Sequence, residues 1–147
     1  MSKERKQQLR LFLRLLLIVT LCLIWGNSLV PREESAAISG GLTAWLRSIG
    51  LPVSDHFVRK TAHFCEFTLL GAELALLLRL RGGRGFQCCC NSAFAGLLVA
   101  VTDETLQVFS GRGSRVTDVV LDFAGTVLGI LLCTLLARRA EKKHGMK

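Results

Sequence analysis

The sequence predicts an all-α integral membrane protein, with four transmembrane helices and a short extracytoplasmic amphipathic helix. Hydrophobic residues make up 50% of the 147 residues, and the mean hydropathy of +0.43 is too high for an ordinary soluble domain. The apolar residues cluster in four stretches, each close to the about 20 residues that a helix needs to cross a bilayer. No internal repeat is visible, so residues 1–147 are predicted to form a single membrane domain.

The four predicted spans cover residues 11–30, 62–80, 92–109 and 116–137. Arg14 interrupts the first span, but it lies near the basic end and can extend its charged head to the interface. A cleaved signal peptide would also combine a basic start with an apolar core. No cleavage site of small residues follows closely, so we interpret this stretch as a span.

The segment of residues 27–55 is the only sizeable one outside the spans. Its apolar residues recur at roughly helical spacing after Ser35, a residue type that can cap a helix. These residues are Ala36, Ile38, Leu42, Trp45, Leu46 and Ile49. The spacing predicts an amphipathic helix with Trp45 in the membrane interface. The helix either roofs the polar residues of the neighbouring spans or only connects the first span to the second.

Positive charge is distributed unevenly around the four spans. The net charge is +8, and 13 of the 19 lysines and arginines lie at the two termini or around the loop between the second and third spans. The other six are Arg32, Arg47, Arg59, Lys60, Arg112 and Arg115. Cytoplasmic flanks are enriched in lysine and arginine, so both termini are predicted to be cytoplasmic. Because topology accounts for the excess charge, nucleic acid is not a predicted partner.

Polar residues that are rare in membrane spans concentrate at one end of the predicted bundle. The second span opens with Arg59, Lys60, His63 and Glu66, and the third closes with Asp103, Glu104 and Gln107. The turn after it and the start of the fourth span contain Arg112, Ser114, Arg115, Asp118 and Asp122. Antiparallel neighbours bring all of these to one face of the bilayer. Ionisable groups in a lipid setting are costly, so they indicate a functional site.

The local chemistry of this polar end leaves several interpretations open. His63 precedes Glu66 by three residues, a spacing that suits metal binding, proton transfer or a hydrogen bond between helices. Asp103 and Glu104 need cations or protons inside an apolar run. The basic residues available to them are Arg59, Lys60, Arg112 and Arg115.

The segment Gly-Arg-Gly-Ser-Arg at 111–115 predicts a tight turn, in which the glycines permit positive φ and Ser114 caps the fourth span. Its two arginines suit a bound phosphate or carboxylate, or they neutralise the acids of the third span. Gly125 and Gly129 have the small-xxx-small spacing of close helix packing. Asp122, above them on the same face, is expected to satisfy a neighbouring group.

Two segments, RKTAHFCEF at 59–67 and TDETLQVF at 102–109, followed by Gly111-Arg112 and Asp118, resemble the VanZ-like family. The resemblance extends from about Ser28 to the end of the fourth span. It implies a small multi-pass membrane protein, mostly bacterial, in a family whose namesake is linked to resistance to the glycopeptide teicoplanin. The chain departs from the family pattern at three positions. Phe67 replaces a frequent tyrosine, Ser110 a common proline and Asp122 the usual asparagine, the last adding a charge.

The predicted function is that of a VanZ-like protein of the cell membrane, with an outward-facing polar site that binds or acts on an envelope lipid or glycopeptide. The candidate ligand-binding residues are Arg59, Lys60, Asp103, Gln107, Arg112, Arg115 and Asp118. The alternative is a membrane enzyme that performs acid–base chemistry on an anionic head group. Its candidate catalytic residues are His63, Glu66 and Glu104. A purely structural polar network is the third interpretation. The sequence identifies no cofactor, assigns no metal ligands, and leaves open whether the protein is an enzyme.

Overall fold

A computed structural model of the protein describes residues 2–111 and 113–145, and all of its regular secondary structure is helical. The five helices are α1 (Lys3–Leu29), α2 (Arg32–Ser48), α3 (Asp55–Leu80), α4 (Gly85–Phe109) and α5 (Val116–Gly145). Helices α1, α3, α4 and α5 are long and apolar enough to cross a membrane. The predicted all-α membrane fold is therefore confirmed.

The helices continue beyond the predicted spans, because hydropathy marks only the part of a helix that lipid surrounds. Helix α3 begins at Asp55 rather than at residue 62. Its start is set by Ser54, whose hydroxyl accepts the N–H of Phe57 at 3.2 Å. Ser2 caps α1 in the same way. The extension of α3 adds two turns before the predicted span, and these turns carry residues of the polar end.

The four long helices alternate in direction and define two ends of the bundle. The Arg10 guanidinium of α1 donates to the Leu80 carbonyl at the end of α3, and Arg79 lies 3.6 Å from Glu141 of α5. These contacts join the start of α1, the α3–α4 turn and the last turns of α5 at one end, which we call the basic end. The start of α3 and the α4–α5 turn lie at the other, which we call the polar end.

Helices α3 and α5 approach each other closely through glycines. A side chain on Gly129 would overlap the backbone carbonyl of Thr68, and a Cβ on Gly125 would lie 2.6 Å from the carbonyl oxygen of Phe64. From the opposite helix, a Cβ on Gly71 would overlap the backbone of Thr126. Backbones can approach this closely only where side chains are absent. The predicted packing role of Gly125 and Gly129 is thus confirmed.

The distribution of side chains is that of a helical bundle in lipid. The small apolar core contains Ile24, Phe67, Leu70 and Ala100. Large apolar side chains are exposed along the outer faces, among them Leu11, Leu15, Ile18, Val19, Leu131, Leu135 and Leu136. Several polar residues are buried inside. In lipid this arrangement satisfies both sets of side chains, because the surroundings are apolar and the interior supplies hydrogen-bond partners.

Helix α2 packs against α3 with its polar side. Ser35, Ser39 and Thr43 are buried at successive turns, whereas Leu42 and Trp45 are exposed. Ser35 was predicted to cap this helix and does not. The helix begins at Arg32, directly after Pro31, and the N–H of Ser35 already bonds to the Pro31 carbonyl. Proline has the fixed φ that suits this position, so the helix starts one turn earlier.

Candidate functional site

A cavity of about 220 Å³ lies at the polar end between α3, α4 and α5. Its described wall is formed by His56, Arg59, Lys60, His63, Glu104, Gln107, Gly113, Arg115, Asp118, Leu121 and Asp122. Most of the predicted site residues are among them. Of the rest, Glu66 and Asp103 adjoin the cavity through His63, and Arg112 lies outside the described residues. No described residue of α2 lines the wall, so the interpretation of α2 as a roof receives no support.

Lys60 and Asp118 connect α3 to α5 across the cavity. The Lys60 ammonium lies 2.5 Å from Asp118 Oδ1, and both side chains are half-buried. Asp118 is in the first turn of α5, where the helix dipole favours a negative charge. Each charge therefore has a partner within the protein.

Asp103 is held by neutral donors, and none of the described lysines or arginines pairs with it. Its Oδ1 accepts the Ser28 hydroxyl at 2.6 Å, and its Oδ2 accepts the Gln107 amide at 2.9 Å. Asp103 and Ser28 are both completely buried. The reason is the orientation of α4, which turns Asp103 towards α1. Sequence reasoning missed Ser28, because a serine at the end of an apolar span is a weak signal.

Glu104 fixes the start of α5. Its Oε2 accepts the backbone N–H of Arg115 at 2.9 Å. The carbonyl of Arg115 in turn accepts the N–H of Asp118, so Arg115 stands just before the first turn of α5. The prediction that Ser114 caps this helix is therefore wrong. The intervening turn uses the positive φ of Gly111 (72°), as its sequence predicted.

Two guanidinium groups on the wall are left without carboxylate partners. Within the described residues, neither Arg59 nor Arg115 has an acidic oxygen within 4.0 Å. His56 lies on the same wall and was missed by sequence reasoning. It precedes Lys60 by four residues and His63 by seven, so the helical periodicity that selected them also applied to it.

His63 lies at the meeting point of three acidic residues. Its Nδ1 is 3.8 Å from Glu66 Oε2 and 4.0 Å from Asp103 Oδ2, distances too long for hydrogen bonds. One ring nitrogen of His63 and one carboxylate oxygen each of Asp103 and Asp122 lie within 4.8 Å of one another. The cluster thus joins α3, α4 and α5 at the inner wall of the cavity.

Asp122 differs from the other acids of the polar end. It is only 2% exposed, yet its carboxylate accepts no hydrogen bond from any residue that the structure describes. Among the described residues, no hydrogen bond to its carboxylate meets the expectation that it satisfies a neighbour. One of its carboxylate oxygens lies within 4.8 Å of a ring nitrogen of His63 and of a carboxylate oxygen of Asp103.

Glu73 is a buried acid of α3 that lies apart from the cavity. Its Oε1 accepts the Thr20 hydroxyl of α1 at 2.9 Å. The pair lies about two turns closer to the basic end than Glu66 does. It serves helix packing, because a polar pair inside a bundle holds its helices together.

The VanZ/LLP1 family matches residues 11–137 of the 147-residue chain. No match was found among the curated proteins or the solved structures. The matched range contains the whole described wall of the cavity and the apolar parts of all four long helices. The chain therefore belongs to the VanZ/LLP1 family.

Proposed function

We propose that the cavity binds the anionic head group of an envelope lipid at the outer face of the cell membrane. The observation that supports this most directly is that the guanidinium groups of Arg59 and Arg115 have no carboxylate partner among the described residues. On the same wall, Asp118 is paired with Lys60, and Glu104 accepts the backbone N–H of Arg115. A guanidinium presents planar donors that match a phosphate or carboxylate. These two groups therefore offer positive charge to a ligand from outside.

The size of the cavity favours a lipid head group over a glycopeptide. The volume of about 220 Å³ is below the about 300–1,000 Å³ of sites that hold drug-sized ligands, so the cavity suits a phosphate with part of its ester better than a whole glycopeptide. In this proposal the predicted link to teicoplanin resistance runs through an envelope lipid and not through contact with the antibiotic.

The proposal puts the basic end in the cytoplasm and the polar end outside. The lysine and arginine distribution supports this orientation, because the termini and the α3–α4 turn carry most of the positive charge. The contacts of Arg10 with Leu80 and of Arg79 with Glu141 are consistent with it, since they join these segments at one end. The cavity is then open to the head groups of the outer leaflet.

Binding is favoured over catalysis by the chemistry of the wall. No described residue on it is a serine, threonine or cysteine, so the wall offers no hydroxyl or thiol nucleophile. His63 and Glu66 have the residue types of an acid–base pair, but His63 Nδ1 and Glu66 Oε2 are 3.8 Å apart, too far for a hydrogen bond.

A lipid titration tests the proposal. Full-length protein in detergent is titrated with short-chain phosphatidylglycerol, and bound lipid is counted by native mass spectrometry. We expect Arg59→Gln to weaken binding about tenfold or more, because a hydrogen bond between charged groups contributes about 1.5–3 kcal/mol. Arg47→Gln is the matched control, since Arg47 lies outside the cavity and its Nε donates to the Val53 carbonyl.

An uncharged glycolipid with the same acyl chains is the reference ligand. Equal affinity of the wild-type protein for the two lipids would contradict the proposal. So would equal losses of phosphatidylglycerol binding in Arg59→Gln and Arg47→Gln, because the effect would then reflect surface charge and not the cavity.

A further inference from the structure

We propose that His63, Asp103 and Asp122 bind a divalent transition-metal cation such as Zn²⁺ or Mn²⁺ at the inner wall of the cavity. One ligand comes from each of α3, α4 and α5. The combination of one imidazole and two carboxylates suits cations of this class. The proposal goes beyond head-group binding and is tested without any lipid.

The geometry requires only small side-chain movements. The three donor atoms lie within 4.8 Å of one another, and His63 Nδ1 is 4.0 Å from Asp103 Oδ2. Metal–ligand bonds of about 2.0–2.2 Å in a tetrahedral site put donor atoms about 3.4 Å apart. Side-chain rotations that move each donor by roughly 1 Å would close the site.

One member of the cluster lacks the partner that a buried polar group normally has. His63 Nδ1 is buried and makes no hydrogen bond with any described residue. Buried polar groups are hydrogen-bonded in the great majority of cases, so this nitrogen points to a missing third party. Asp122, which is 2% exposed and accepts no side-chain hydrogen bond from a described residue, lies opposite this nitrogen and lines the cavity. A cation between them gives both groups a partner.

The charge balance points the same way. Four other carboxyl groups are within electrostatic range of Asp122, namely those of Glu66, Asp103, Glu104 and Asp118. Lys60 neutralises Asp118, but no described lysine or arginine pairs with Asp103 or Asp122. Buried carboxylates without a counter-charge are costly, and one divalent cation compensates two of them.

Surrounding hydrogen bonds support the proposed ligands. Ser28 and Gln107 hold the two oxygens of Asp103, as outer-shell partners of metal ligands do. His63 and Asp122 also line the cavity, so the proposed cation has access to water or to an anionic ligand there. Sequence reasoning did not find the set, because its members come from three helices and have no common spacing.

The experiment uses full-length protein with a purification tag that contains no histidine. The protein is stripped with a chelator in detergent, incubated with ZnCl₂ or MnCl₂ and separated from free ion. Bound metal is then measured by mass spectrometry of the elements. We expect about one ion per chain, and binding weakened about tenfold or more by Asp122→Asn or His63→Gln, as expected for loss of a metal ligand. Glu73→Gln is the control, a buried carboxylate of α3 that bonds to Thr20 instead.

Wild-type protein that retains neither metal after separation overturns the proposal. Equal retention by wild type, Asp122→Asn and His63→Gln overturns it as well, since the ion would then lie elsewhere. If the variants do not accumulate, pulsed electron paramagnetic resonance of the Mn²⁺-loaded wild type decides. Coupling to one imidazole nitrogen supports the site, and its absence overturns it.

Discussion

Asp103 and Asp122 are equally buried but stand in opposite environments. Asp103 is fully buried and accepts hydrogen bonds from Ser28 and Gln107. Asp122 accepts none from the described residues. A buried carboxylate with fixed donors stabilises its surroundings, whereas one without donors is available to a ligand. In the proposed metal site both acids are ligands, Asp103 held in place by Ser28 and Gln107 and Asp122 without such donors among the described residues.

At the scale of single residues, the hydrogen bond from Ser28 to Asp103 is expected to make a measurable contribution to the stability of the protein. Ser28→Ala leaves Asp103 Oδ1 buried without a donor, so we expect a loss of about 1–3 kcal/mol in stability. Ser92→Ala is the matched control. Ser92 is also fully buried, but its hydroxyl donates to the Cys88 carbonyl of its own helix.

Thermal unfolding of both variants in the same detergent provides the measurement. Ser92→Ala is expected to stay within about 0.5 kcal/mol of the wild type, because a helix carbonyl keeps its backbone bond when a serine side chain is removed. A Ser28→Ala variant as stable as Ser92→Ala would mean that Asp103 does not depend on this donor.

At the scale of secondary-structure elements, the close packing of α3 against α5 positions the residues of the polar end. Gly71 on α3 and Gly125 and Gly129 on α5 let the backbones approach, and this approach brings Lys60 and Asp118 together at the polar end. The spacing of Gly125 and Gly129 made the packing role predictable. The partner helix was not predictable, because small-xxx-small spacing marks a contact surface without naming its neighbour.

Glycine-to-alanine substitutions at this contact and away from it distinguish the effect of helix packing on stability from the effect of helix propensity. Gly129→Ala adds a methyl group that would overlap the Thr68 carbonyl, so α3 and α5 must move apart. We expect a loss of about 1–3 kcal/mol, the usual cost of overpacking. Gly26→Ala in α1 meets no heavy atom within 4 Å and should be neutral or stabilising by about 0.5–1 kcal/mol, since alanine favours helix.

Thermal stability in detergent, read for both glycine variants, checks this expectation. If Gly129→Ala were as stable as the wild type, α3 and α5 would not pack as closely as their backbones indicate. If Gly26→Ala lost as much stability as Gly129→Ala, both effects would come from changes within each helix and not from the contact between α3 and α5.

For the whole molecule, orientation in the membrane decides whether the cavity meets outer-leaflet head groups. The six cysteines are free, so they can be replaced to give a background for labelling. Ser114→Cys at the polar end should react with a membrane-impermeant reagent in intact cells. Ala140→Cys, exposed in α5 at the basic end, should react only after permeabilisation. The reverse pattern would put the cavity in the cytoplasm.

The sequence by itself determined the number of long helices, their approximate limits and the end of the bundle at which the polar residues gather. Hydropathy over about 20 residues is enough to mark a span, and alternating direction then decides which span ends meet. Helical phase also selected most of the cavity wall, including Arg59, His63 and Asp118. The motifs at 59–67 and 102–109 were enough to indicate the family.

Only the tertiary structure decided which polar groups are partners. Ser28 and Asp103 are 75 residues apart in sequence, and Lys60 and Asp118 are 58 apart, so no local spacing connects them. The rotation of each helix about its axis selects these pairs, and packing against neighbours sets that rotation. Within the described part of the chain, the same packing leaves Arg59 without a carboxylate and Asp122 without a side-chain donor. Both proposed binding roles depend on such placements, and neither could be derived before the helices were placed against one another.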